Sequence, residues 1–138
     1  MEKYKELKYE GKTYTERYQI EEILVKEKCV WFIDAETELA RIEIKHNILI
    51  FNGGIWYNGV WKFGVFRNGE FKFGKFDDGV IFNGVFKGGL FKNGYIYNGT
   101  FIDCQFLNVV LKKFNQNGSE TMQDFINCDI SPNVKKEK

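Results

Sequence analysis

One stretch of the chain has the spacing of a phosphate-binding loop. Gly69-Glu70-Phe71-Lys72-Phe73-Gly74-Lys75 sets two glycines five apart with a lysine after the second. In such a loop backbone N–H groups cradle phosphate, the lysine reaches it, and Ser or Thr follows to hold Mg²⁺. Here the next residue is Phe76, and no helix can open inside the surrounding pattern. His46, the sole histidine, has no Ser, Cys or Asp near it in a triad-like pattern and reads as a turn or surface residue. Asp77-Asp78 is too sparse a carboxylate set for calcium. Cys29, Cys104 and Cys128 lack metal-ligand spacing and are odd in number, which favours a reduced, cytoplasmic protein. No nucleophile, base and oxyanion site is assembled, so the expectation is a non-enzyme without cofactor or metal.

The apparent phosphate loop is a by-product of a lattice. Glycine stands at Gly54, Gly59, Gly64, Gly69, Gly74, Gly79, Gly84, Gly89, Gly94 and Gly99. A large apolar residue follows two places later: Trp56, Trp61, Phe66, Phe71, Phe76, Ile81, Phe86, Phe91, Ile96 and Phe101. The spacing continues without glycine as Cys104/Phe106 and Val109/Leu111. A period of five matches neither 3.6 nor 2, so each unit is a short strand plus a tight turn. Asn, Asp or Gly precedes eight of the ten glycines, at 53, 58, 68, 78, 83, 88, 93 and 98. Asn-Gly, Asp-Gly and Gly-Gly suit the two positive-φ positions of a type I′ hairpin turn. Phe63-Gly64 and Phe73-Gly74 do not, and need another turn type.

The favoured architecture is therefore mainly β: a tandem five-residue solenoid built as a coiled up-and-down hairpin ribbon, with a small α/β N-terminal cap. Residues 1–53 form the cap, 54–113 the array, and 114–138 a C-terminal cap and polar tail. Within the cap, the first 13 residues read as a frayed start or edge strand, and Thr15 caps a helix over Glu16–Lys28, with a strand over 18–25 as the other reading. Cys29–Ile33 reads as a strand, Asp34–Thr37 as a turn, and Ala40, Ile42 and Ile44 as the inward side of another strand. Ser119–Asn127 reads as one or two helical turns with Met122, Phe125 and Ile126 on one side.

The lattice also resembles the pentapeptide-repeat family, which sets a small residue two positions before a central Leu or Phe. Cys104-Gln105-Phe106-Leu107-Asn108 matches that unit best, and the resemblance covers roughly residues 49–113. It implies a four-sided right-handed β-helix, the alternative to the ribbon.

The ribbon leaves one face lined by Trp56, Trp61, Phe66, Phe71, Phe76, Phe86, Phe91 and Phe101. A single-layer sheet cannot hide so much aromatic surface, so this row is the candidate binding site. The expectation is a protein-interaction module that docks on a partner or a second copy. One version is a phage or mobile-element protein inhibiting a host protein, suggested by Lys, Asn, Ile, Phe and Tyr, whose codons are A/T-rich, making 63 of 138 residues. A carbohydrate-binding module stacking sugars on the row is the alternative. Single-stranded nucleic acid fits less well: the net charge is +1 and only three of 20 basic residues are Arg. No run of about 18 apolar residues suggests a membrane span, and the first residues lack a signal peptide's apolar core.

Overall fold

The computed structural model describes residues 2–137. Strands β1 (Tyr4–Tyr9) and β2 (Lys12–Tyr14) form a hairpin, followed by helices α1 (Arg17–Lys26) and α2 (Val30–Asp34). Long strands β3 (Glu36–Lys45) and β4 (Ile48–Asn58) lead into short ones: β5 (Val60–Trp61), β6 (Val65–Phe66), β7 (Glu70–Phe71), β8 (Lys75–Phe76), β9 (Val80–Ile81) and β10 (Val85–Phe86). Then come β11 (Gly89–Lys92), β12 (Tyr95–Ile96), β13 (Gly99–Ile102), β14 (Cys104–Leu107) and β15 (Val110–Leu111). After a loop the chain resumes with β16 (Gln123–Ile126), β17 (Asp129–Ile130) and β18 (Lys135–Lys136).

The short strands pair in parallel. Phe51 pairs with Phe66 and Phe66 with Ile81, Phe71 with Phe86 and Phe86 with Phe101, and Phe76 with Phe91 and Phe91 with Phe106. Each step is fifteen residues, so three five-residue units complete one coil. The chain is a β-solenoid with three flat faces. This corrects both geometries expected from the repeat. A hairpin ribbon pairs consecutive units antiparallel, and a four-sided helix pairs residues twenty apart.

The physical reason lies in the turns. A type I′ hairpin needs positive φ at both central residues. Most corners here have it only at glycine, as at Gly74 (φ +130°) and Gly79 (φ +129°). One such residue bends the chain to the next face rather than reversing it. The preceding Asn or Asp instead accepts the glycine N–H on its own side-chain oxygen, as Asn68 does at 3.0 Å and Asp78 at 2.8 Å. Phe63 and Phe73 keep ordinary negative φ and point outward, which is why bulky residues are tolerated there. Further along, Asp103 and Asn108 take the positive φ one residue earlier, and Cys104 and Val109 turn inward where glycine stood.

The core is a stack of ring layers. Within a coil, rings meet edge to face: Trp56–Trp61 at 61°, Phe66–Phe71 at 75° and Phe86–Phe91 at 85°. Between coils they stack: Trp56–Phe71 at 6°, Trp61–Phe76 at 7° and Phe86–Phe101 at 11°. Both arrangements suit the ring quadrupole. Outside, Asn side chains run up the corners, with Asn108 Nδ2 donating to Asn93 Oδ1 at 2.8 Å and Asn98 Nδ2 to the Phe82 carbonyl at 2.9 Å.

The N-terminal residues close one end. β1 runs parallel to β3, and β3 antiparallel to β4, through a His46-Asn47 turn with both φ positive. The first residues are thus a paired strand with Tyr4, Leu7 and Tyr9 buried. α1 lies within the expected span and buries Ile20 and Leu24, but its N-cap is Glu16, which makes no side-chain cap bond. Cys29–Ile33, expected as a strand, is instead the start of α2. This puts Phe32 over Phe51 and Trp56, and Trp31 edge-on to Trp61. Tertiary demand for a plug overrides the β preference of Val30, Trp31 and Ile33. The expected turn at Asp34–Thr37 already belongs, from Glu36 on, to β3.

The array does not end at Lys113. A loop intervenes, and then Phe125 pairs under Phe101, Ile130 under Phe106 and Lys136 under Leu111. Residues 119–127, expected as helical turns, hold β16 instead. One segment cannot satisfy a helix and a parallel ladder at once, and here the open edge of β13 decides. Five layers at about 4.8 Å make the coil stack only about 20–25 Å long, far shorter than a twelve-strand ribbon.

Candidate interaction surface

The aromatic row expected to bind a partner is the interior of the molecule. Trp56, Trp61, Phe66, Phe71, Phe86, Phe91 and Phe101 are 0 % exposed and Phe76 is 1 % exposed. The three faces close around the row, so no partner, sugar or base can reach it. The lattice glycines do stand at the corners, all with positive φ. The reason is closer than turn chemistry alone, since a Cβ on Gly79 would lie 2.2 Å from the Gly64 carbonyl oxygen of the neighbouring coil.

The residues with chemical potential are dispersed and used structurally. Gly69 and Gly74 of the apparent phosphate loop sit at successive corners, with Glu70–Phe71 between them on one face and Lys75 exposed on the next. Glu70 takes part in ion pairs with Lys72 and Lys87. Asp77 pairs with Lys62 at 3.7 Å, and Asp78 caps its own corner. His46 is a hairpin-turn residue.

The shifted titrations have structural causes too. Glu43 accepts from Asn52 and pairs with Lys45 and Arg67, and the Asn52 bond above all holds its carboxyl below the usual range. Burial pushes the Cys29 thiol up to about 11 and the Cys104 thiol up to about 12. Both are poor nucleophiles in that state. Burial and a hydrogen bond to Glu21 raise Tyr4, and a bond to Glu27 raises Tyr9 to about 12. Lys3 donates to the carbonyls of Ile33 and Ala35 at the end of α2, and its burial lowers its pKa. Among the described residues no group of three His, Cys, Asp or Glu could hold a metal ion. No helix there is long and apolar enough to cross a membrane. An open groove of about 450 Å³ lies between the α1–α2 junction and Phe63, lined by Lys26, Lys28, Trp31 and Leu49.

The two ends of the solenoid differ. The N-terminal end is plugged by Phe32 and overlaid by α1 and β3. Among the described residues nothing covers the C-terminal end. β16, β17 and β18 are each paired on one side only, to β13, β14 and β15. Phe125, Cys128 and Val134 are half-buried where their counterparts in earlier coils are fully enclosed. Exposed apolar side chains gather here: Leu107, Phe114, Met122, Ile126 and Ile130. Phe114 and Met122 flank a loop that is held in place. Asn115 donates to Ser119 and the Glu120 carbonyl, Thr121 to the Lys112 carbonyl at 2.6 Å, and Gln123 Nε2 to the carbonyls of Ile96, Tyr97 and Lys112.

The sequence reading makes this end a C-terminal cap and polar tail. One signal marks it: Asn127-Cys128-Asp129-Ile130 repeats Asp103-Cys104-Gln105-Phe106 in type, twenty-four residues on. A nine-residue insertion hides that match from a strict five-residue count.

The fold defines a β-solenoid of short parallel strands. Comparison of the chain with protein-family models, with curated proteins and with solved structures finds no match.

Proposed function

We propose that this chain is a non-enzymatic protein-interaction module, a rigid β-solenoid whose working surface is its C-terminal end. One observation carries the reading: the same molecule seals one end of its coil stack and, among the described residues, leaves the other with free strand edges beside an ordered, apolar-tipped loop. Free strand edges template pairing with another chain, and main-chain hydrogen bonds supply the contact. The interior is filled by stacked rings, and the shifted side chains are tied to structural partners. The carbohydrate reading rested on the aromatic row and loses its platform with that row buried. Phe82 and Tyr97 on the outside do not replace it: they stack on each other at 4.8 Å, and Lys112 lies over Tyr97.

Photo-crosslinking tests the proposal. A benzophenone side chain placed at Ile126 reports on the bare end, and one placed at Phe63 reports on the opposite end. Protein adducts at 126 and none at 63 are expected in cells that express the chain. Equal adducts at both sites, or none at either, would sink the reading.

A further inference from the structure

Resting on that reading, the structure assigns an occupant to the bare end: a second copy of the same chain, docked end to end about a two-fold axis. The first argument is topological. A head-to-tail stack would need a free edge at both ends, and α1, α2 and β3 cover the N-terminal one. The surface on this molecule that matches the bare end is therefore another bare end. Two such ends facing each other are related by a two-fold axis, which closes the assembly at two copies. It also sets the opposed strands antiparallel, the pairing that allows short perpendicular hydrogen bonds.

The second argument is charge. Along the solenoid flanks, charges pair between neighbouring coils: Lys62 with Asp77, Lys87 with Glu70, and Lys112 with Glu137. In the last coil Asp124 stands on β16, Asp129 on β17, and Lys135 and Lys136 on β18, one sign to a strand, with the adjoining Glu137 already paired to Lys112. Among the described residues none of these four has an ion-pair partner. Lys136 occupies the core register under Leu111, where every earlier coil carries an apolar residue. Lys136 itself is exposed, and a charge at the core register of an edge strand blocks further apolar coils. It tolerates a neighbour that brings a carboxylate. A three-sided end has three possible two-fold axes. One sets the lysine face against itself. The other two set it against the Asp124 or the Asp129 face of the second copy, twice per dimer, and leave the remaining aspartate face against itself, so attractive contacts outnumber repulsive ones two to one. The last coil is thus self-complementary in charge and in free hydrogen-bonding groups, with Phe125, Cys128, Ile130 and Val134 inside the ring.

A coil end of this size covers roughly 500 Å² per copy, below the ~800 Å² of a standard interface. The dimer is therefore weak, with a dissociation constant in the micromolar range. Sedimentation velocity over a wide concentration range is the test, with circular dichroism to check each variant's fold. The wild-type chain is expected to pass from monomer to dimer. Asp124→Lys/Asp129→Lys weakens the dimer at least about tenfold, as Lys135→Glu/Lys136→Glu does, and the four changes together restore it. Restoration cannot arise from a merely misfolded end. A monomer at every concentration, or a dimer indifferent to both reversals, overturns the inference. If the 126 crosslink forms with a different protein while the pure chain stays monomeric, the second copy is refuted and the interaction module stands. If that crosslink forms with nothing, both fall.

Discussion

Replacing Gly74 by alanine should be among the most damaging single changes in this protein. Two penalties act together. Gly74 has φ +130°, a region that L side chains occupy at a cost of about 1–3 kcal/mol. Its new Cβ would also lie 2.4 Å from the Gly59 oxygen and 3.1 Å from the Gly59 nitrogen. These are backbone atoms of the neighbouring coil and cannot rotate away. The same Gly59 oxygen accepts the Lys75 N–H at 3.0 Å, so relief means spreading two coils and losing a ladder bond worth about 1 kcal/mol. Rings above and below, Trp61 on Phe76 and Phe76 on Phe91, would separate with it. The expected loss is about 3–5 kcal/mol, at the far end of the range for point mutants. Two further glycines isolate the causes. Gly118 has φ +90° but nothing within 4 Å of a new Cβ, so alanine there should cost only about 1–2 kcal/mol. Gly53 lacks positive φ and meets only the Arg41 Cδ at 3.7 Å, so its alanine variant should stay within about 0.5 kcal/mol of wild type. Urea unfolding followed by tryptophan fluorescence measures all three. If Gly74→Ala is no worse than Gly118→Ala, close coil stacking is not what demands glycine.

Other outcomes follow from the same structure. Phe86→Ala opens a cavity in a closed ring layer and should cost about 3–5 kcal/mol, whereas Phe73→Ala, at a 59 % exposed corner, should cost under about 1 kcal/mol; thermal melts separate them. Trp56 and Trp61 bury indole N–H groups with no acceptor, a penalty of about 1–3 kcal/mol each, so Trp61→Phe should cost far less than a large-to-small core change, and a loss above about 3 kcal/mol in denaturant would contradict this. Cys104 should resist a thiol reagent at pH 8 in the folded protein while half-buried Cys128 reacts, as mass mapping of the labelled chain would show. Thiols whose folded pKa lies above the unfolded value bind more protons when folded, so their contribution is full below about pH 9 and falls as pH rises towards 11 and 12; stability that climbed through this window would refute it. Glu43 works in the other direction: its lowered carboxyl stabilises the fold above the unfolded value near 4.5 and loses that contribution as pH falls below it. Glu43→Gln should flatten this acid limb in pH-dependent unfolding.

The chain's local rules are legible in its residues. Five-residue spacing, glycine two places before each large apolar residue and Asn or Asp before glycine are enough to read short strands joined by tight corners. They also mark every corner glycine and every core ring from Trp56 to Phe106, because a period and a side-chain size survive in one dimension. How sharply each corner bends does not. Asn58 or Asn68 before glycine is as fit for a reversing hairpin as for a one-third turn. The choice falls to whether three parallel ladders and a closed ring layer are better than an exposed aromatic sheet. That choice turns the aromatic row from a binding face into a core. It also lets β16 and β17 rejoin the stack after an insertion, and makes a plug of Val30–Asp34. Sequence by itself determined the unit and its glycine and aromatic positions. Only the tertiary structure decided that three units close a coil, because closure depends on contacts fifteen residues apart. Only it could show that one end of the coil stack is sealed and that, among the described residues, the other is uncovered.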